Sequence, residues 1–194
     1  MIRAAALASG DGAKLQAILD AIYFGELPDF ELVAVISPEK DAHVMQRALN
    51  AGVNAYVVDP DLFPTMTTHS MAVANKLKDM DIELVILADY GVSLGVIPYQ
   101  FKNRMIGTRP CLCPAFEDTE GDVCRAAIER GCKITGATSF FADVDGRVGR
   151  IIGQTAVRIR PGDTPESLAR RVTEEAEWPL LTDAVKLFCQ GKLR

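Results

Sequence analysis

The sequence predicts an α/β fold built on a doubly wound, mostly parallel sheet. In the first hundred residues, short apolar runs alternate with longer amphipathic stretches, the signature of strand–helix–strand units. After Pro98 the rhythm changes to two longer strand-like runs joined by turn residues and followed by a closing helix. The 194 residues, 48% hydrophobic and 24% charged, suffice for one domain with its own core and no disulfide staples.

The first element is the run Ile2–Ala8. A charge followed by alanines has the look of a secretory leader, but the run ends at Ser9-Gly10-Asp11-Gly12, short of the ~7–15 apolar residues of a signal core. A buried first strand is the better reading. Phe30–Ile36, Asn54–Val58 and Glu83–Leu87 read as further strands, rich in Val, Ile and Ala and buried on both faces. Ala13–Phe24, Asp41–Ala51 and Thr67–Met80 are the crossover helices between them, the second closed by Gly52.

In the second half, Met105–Thr108 reads as a short fifth strand, leading into the Pro- and Cys-containing loop Arg109–Thr119. A helix is expected near Gly121–Arg130. Lys133–Phe141 and Arg150–Arg158 form an antiparallel hairpin across Asp143-Val144-Asp145-Gly146. Thr164 and Pro165 supply an N-cap and a first-turn proline for the last helix. Its stripe Leu168, Val172, Leu180, Ala184 and Phe188 continues through Pro179, where a kink is expected.

Twenty-one basic against twenty-six acidic residues give a net charge of −5, which disfavours nucleic acid and anionic membranes as partners. No apolar stretch reaches the ~20 residues of a membrane span, so a cytoplasmic protein is expected. The cysteines, Cys111, Cys113, Cys124, Cys132 and Cys189, form no disulfide pattern, which fits a reducing compartment. Zinc is not expected, because Cys111-x-Cys113 is too tightly spaced and the two histidines, His43 and His69, lie in the early helices. These cysteines read as small buried hydrophobes.

The sharpest local motif is Ser9-Gly10-Asp11-Gly12-Ala13-Lys14, between the first strand and the first helix. Its glycines allow a tight turn, and free N–H groups at a helix start attract an anion, so Gly10, Asp11, Gly12, Ala13 and Lys14 form a candidate phosphate loop. It lacks the Gly-Lys-Ser/Thr ending of a P-loop and the third glycine of the dinucleotide fingerprint, and a plain strand-to-helix turn is the alternative. Lys14 adds a positive charge if it faces the loop.

Six motifs occur in an order that resembles the phosphoribosylglycinamide formyltransferase family. They are Ser9-Gly10-x-Gly12-x-x-Leu15-Gln16-Ala17-Ile18, Leu84–Ala88 with Tyr90, and Arg109-Pro110-x-Leu112-x-Pro114-Ala115-Phe116. Thr135–Thr138, Gly149-x-Ile151-Ile152-x-Gln154-x-Ala156-Val157 and Pro161–Thr164 with Glu166 and Leu168 complete the set, across nearly the whole chain. The resemblance implies a single formyltransferase-like domain over residues 1–194. Residues 1–100 would be a Rossmann-like phosphate-binding half, and 101–194 would carry the active-site positions. It also implies formyl transfer from 10-formyltetrahydrofolate to a glycinamide amine in purine synthesis, with no metal. The Gly10–Lys14 loop would hold the substrate phosphate, and Pro110 and Glu174 would belong to the substrate site. The folate would lie along Asp89, Tyr90, Gly91, Val92 and Leu94, near Asp143 and Asp145.

That family uses an Asn-x-His-Pro element on the fifth strand and an aspartate in the hairpin. Counted from Pro110, those first two positions hold Gly107 and Arg109; counted from Phe141 to Gly149, the third holds Arg147. Glycine offers no amide to an oxyanion and arginine accepts no proton. The expectation is therefore a divergent member with little or none of the usual transfer activity, binding a small phosphate- or carboxylate-bearing ligand where Arg109 and Arg147 share a pocket. The alternative is an active formyltransferase acting on glycinamide ribonucleotide or a related amine. Pairing of the two arginines with Asp143, Asp145 or Glu117 would make the pocket merely structural.

Overall fold

The structure, a computed structural model, describes residues 1–119 and 121–193. A seven-stranded sheet forms its centre. β1 (Ile2–Ala8), α1 (Ala13–Tyr23), β2 (Phe30–Ser37), α2 (His43–Asn50), β3 (Asn54–Val57), α3 (Met66–Asp79) and β4 (Leu84–Ala88) follow one another as right-handed units require. Then come α4 (Ile97–Gln100), β5 (Met105–Arg109), α5 (Val123–Glu129), β6 (Ile134–Ala142), β7 (Val148–Arg158), α6 (Pro165–Val172) and α7 (Trp178–Cys189). The strand order is β3-β2-β1-β4-β5-β6-β7, parallel from β3 to β5 and antiparallel from β5 to β7.

The sheet separates two cores. Alternate residues of β1 serve each: Ala4, Ala6 and Ala8 pack with α1, α2 and α7, while Ala5 and Leu7 pack with α3 and α4. β5 divides in the same way, Ile106 joining the α7 side and Met105 the α3 side. Gly12 caps α1 in the left-handed region (φ 74°), and a Cβ there would sit 2.7 Å from Val44 Cγ2. Only glycine lets α2 approach the loop this closely.

Three local expectations are corrected. The stripe runs through Pro179 as one unbroken helical course, but the departure from α geometry is the π-helical turn Thr173–Glu177 between α6 and α7, and Pro179 lies in the first turn of α7. Proline has no N–H to give to the preceding turn, and the wider π turn absorbs that loss before the proline is reached. The hairpin turn is tighter than expected, with β7 starting at Val148. Asp143 Oδ1 accepts the N–H groups of Asp145 and Arg147, at 2.9 and 2.8 Å, and so folds the turn itself. Two short elements, α4 and the 3₁₀ turn Pro60–Leu62, carry too few residues for a readable period.

Candidate active site

In a doubly wound sheet the default ligand crevice lies where adjacent strands lead off in opposite directions, here between the carboxyl ends of β1 and β4. The chain closes that crevice on itself. Ser9 Oγ donates to the Asp89 carbonyl, and a Cβ on Gly91 would come within 3.1 Å of Ser9 Oγ. Asp89 holds a left-handed φ of 62°, a conformation an aspartate tolerates better than most residues. In the glycine loop, Asp11 Oδ1 accepts the Ala13 N–H at 2.9 Å, so one of the donors expected to hold a phosphate already has a carboxylate. The Asp11 carbonyl takes Arg47 Nε at 2.6 Å, tying α2 to the loop.

Lys14 is buried, with Nζ 2.8 Å from Asp89 Oδ1 and 3.0 Å from Glu177 Oε1. Burial pulls its pKa down, but the carboxylates of Glu177 and Asp89 outweigh that and hold it above the ordinary 10.5. Glu177, itself only 4% exposed, also accepts Thr108 Oγ1 at 3.1 Å and Thr173 Oγ1 at 3.3 Å. The charge expected to serve a loop-bound phosphate is thus engaged inside the protein. Glu177 was not among the expected site residues; its place before Trp178-Pro179 gave no sign of a partner so distant in sequence.

Arg109 and Arg147 come together at the other face of β5, while Gly107 on the same face does not line their cavity. Gly107 and Arg109 share the parity of Met105 and face the α3 side, whereas Thr108 faces Glu177 and α7. A Cβ on Gly107 would meet Leu87 Cβ and Phe140 Cζ, each at 3.3 Å, so that position has little room for a side chain. Arg109, Glu117, Asp118, Gly146, Arg147 and Val148 line one cavity of about 420 Å³. Arg109 Nη2 donates to the Glu117 backbone carbonyl, while Arg109 Nε is buried without a hydrogen-bond partner among the described residues. Among the described residues, neither Arg109 nor Arg147 has a carboxylate within 4.0 Å. Of the expected internal partners, only Glu117 is engaged by either guanidinium, and through its backbone carbonyl rather than its carboxylate. Asp143 serves the turn backbone, and Asp145 is exposed.

The other expected site residues are scattered. The Asp89–Leu94 segment meets the hairpin turn, where a Cβ on Gly146 would lie 2.9 Å from Leu94 Cδ1. At Leu94 the segment and the turn touch with no room for a ring between them, so at this point the residues do not fit the folate that the resemblance implies. Burial raises the Tyr90 phenol above its ordinary pKa, and its hydroxyl has no hydrogen-bond partner among the described residues. Val92 is half-buried. Pro110 directly follows Arg109 at the end of β5. Glu174 is exposed in a separate groove between α1 and α7, with Trp178 and Pro179. Among the described residues no three His, Cys, Asp or Glu side chains gather as a metal site, and no helix is long and apolar enough to cross a membrane.

The profile of the formyl transferase family matches residues 2–185. Among curated proteins, the chain is 29% identical over 195 aligned positions to the phosphoribosylglycinamide formyltransferase of Haemophilus influenzae, covering 100% of this chain and 90% of that protein. It is 33% identical to the trifunctional purine biosynthetic protein adenosine-3 of Drosophila pseudoobscura, but spans only 14% of that much longer chain. Among solved structures, glycinamide ribonucleotide transformylase 1 from Symbiobacterium toebii superposes with a TM-score of 0.92 at 38% identity, over 98% of this chain and 89% of that one. With the family profile matching nearly the whole chain and a solved relative superposing on 98% of it, the chain belongs to the formyl transferase family.

Proposed function

We propose that this formyl transferase family member holds a small carboxylate- or phosphate-bearing ligand between Arg109 and Arg147 and performs little of the transfer for which its relatives are named. The observation that carries this reading is the shared cavity: Arg109 and Arg147 both line one space, and neither has a carboxylate within 4.0 Å among the described residues. Like charges drawn together favour an anion between them, and arginine's planar fork suits carboxylate and phosphate. The carboxylates of Glu117 and Asp118 in the same wall favour a ligand that also carries a donor, such as an amine.

Formyl transfer to an amine needs a group to take the amine proton and a donor for the developing oxyanion. Arg109 stays protonated and cannot be the base, a loss worth roughly 100–10,000-fold. Gly107 offers no oxyanion donor, worth roughly another 100–1000-fold, though the two losses do not strictly multiply. Transfer from 10-formyltetrahydrofolate, the donor of the family, to glycinamide ribonucleotide is expected at least ~1000-fold below an intact relative. Ordinary family turnover by the unmodified chain would refute the proposal. Titration with inorganic phosphate and small carboxylates, read by thermal stabilisation, tests the ligand side. Arg109→Ala and Arg147→Ala should each weaken binding, and Lys14→Ala controls for the glycine loop.

A second reading is an active formyltransferase, favoured by the family match over nearly the whole chain and by relatives that bear that name. In it, a guanidinium of Arg109 or Arg147 would meet the oxyanion and the Glu117 or Asp118 carboxylate would take the proton. Loss of measurable transfer in Arg109→Ala and Arg147→Ala, from a substantial starting rate, would select it.

A further inference from the structure

We propose that Cys111 and Cys113 are a redox-modification site: a dithiol that closes to a reversible disulfide and, in closing, resets Arg109. The two sulfurs lie 3.6 Å apart in a small buried cluster with Val123. A disulfide needs about 2.05 Å, so the sulfurs must approach by roughly 1.5 Å, within reach of side-chain torsions.

The backbone around them is already held. Thr138 Oγ1 donates to the Cys111 carbonyl at 2.7 Å and accepts the Cys113 N–H at 3.0 Å. Gln154 Nε2 donates to the Cys113 carbonyl at 2.8 Å and to Thr138 Oγ1 at 3.0 Å. One hydroxyl and one amide thus clamp both ends of the Cys-x-Cys segment, and little chain entropy is left to lose on bond formation. The ring closed by so few residues is strained, which places the disulfide among the readily reduced, regulatory kind rather than the structural kind.

With a peroxide as oxidant, the step balances. One thiolate attacks the peroxide oxygen, giving a sulfenic acid and hydroxide. The second thiol then attacks the sulfenic sulfur, and water leaves. Two thiols are oxidised and hydrogen peroxide is reduced to two waters. Burial pushes the Cys111 thiol up to about 12, so the reaction is slow at neutral pH and speeds as pH rises.

The positive charge of Arg109, two residues earlier, favours the Cys111 thiolate and partly offsets the effect of burial. Drawing Cys111 Sγ toward Cys113 and removing its thiolate form alters the electrostatic surroundings of Arg109, which lines the anion cavity. This second clause rests on the proposed anion site; the dithiol itself does not.

The test treats the folded full-length chain with hydrogen peroxide, blocks free thiols, and locates the remaining disulfide by peptide mass spectrometry before and after a thiol reductant. The expected result is a reducible Cys111–Cys113 bond that forms faster at pH 9 than at pH 7. Its absence when Cys132 and Cys189, the more exposed thiols, are already oxidised would overturn the site. Pairing of either cysteine with another partner would do the same. Cys111→Ala and Cys113→Ala should each abolish the bond, and the unmodified chain carries the test if either fails to fold. Phosphate affinity of the oxidised chain should differ at least threefold from that of the reduced chain. Equal affinities overturn the coupling to Arg109, whereas a reduced chain that binds no anion refutes the anion site and leaves the dithiol standing.

Discussion

Replacing Glu177 with alanine tests whether the ion cluster under the glycine loop holds the two halves of the chain together. The variant removes one of two carboxylates facing a buried ammonium and leaves the hydroxyls of Thr108 and Thr173 without their acceptor. Breaking one side of a buried pair costs about 3–5 kcal/mol, mostly through the stranded charge. Asp89 remains at 2.8 Å from Lys14, which argues for the lower half of that range, and the two orphaned hydroxyls argue against anything smaller. At about 2–4 °C per kcal/mol for a chain of this size, the melting temperature should fall by roughly 6–16 °C. Asp89→Asn is the internal control: it removes the charge but tolerates the left-handed backbone, and the side chain is 61% exposed, so losing the charge should cost under about 1 kcal/mol. A double variant, Lys14→Met with Glu177→Leu, should recover most of the loss, because apolar residues of similar volume replace a buried pair at little cost. The pH dependence has a fixed sign. The folded pKa of Lys14 lies above its unfolded value, so the cluster's contribution is complete below about pH 10.5 and is lost as pH rises through the folded pKa. Thermal melts followed by circular dichroism measure all of this, and a shift under 2 °C for Glu177→Ala would refute the reasoning.

Gly12→Ala should destabilise by about 2–5 kcal/mol in urea unfolding, from the left-handed backbone and the overlap with Val44 together, whereas Gly25→Ala, with φ 71° and open space around it, should show only the backbone share of about 1–2 kcal/mol. Thr138→Val keeps the volume but deletes the hydroxyl that serves Cys111, Cys113 and Gln154; equilibrium unfolding should show a loss of about 2–4 kcal/mol. Hydrogen bonding from Arg171 lowers the Asp163 carboxyl from 3.8 to about 2. The stability it contributes is therefore present above about pH 4 and lost as pH falls through 2, and in Asp163→Asn that part of the acid dependence should vanish from melts recorded between pH 5 and pH 2.

The strand–helix alternation, the glycine turn after β1, the Thr164–Pro165 helix start and the antiparallel hairpin were all legible in the sequence, because period, capping and turn chemistry act over a few residues. The order of motifs also led to the family, and counting from Pro110 and Phe141 singled out Arg109 and Arg147, which line one cavity. The sequence could not say what each charge would meet. Lys14 looked like a phosphate ligand from its loop, yet its partners are Asp89 after β4 and Glu177 in the π turn, brought close only when the sheet and α7 assemble. Asp143 and Asp145 looked like partners for the arginines, yet Asp143 is spent on its own turn. Nor did the spacing Cys111-x-Cys113 reveal that Thr138 and Gln154, on β6 and β7, would clamp it. Local propensity depends on neighbours along the chain, but pairing depends on which groups lose water together at one point in space. Only the packed sheet decides that.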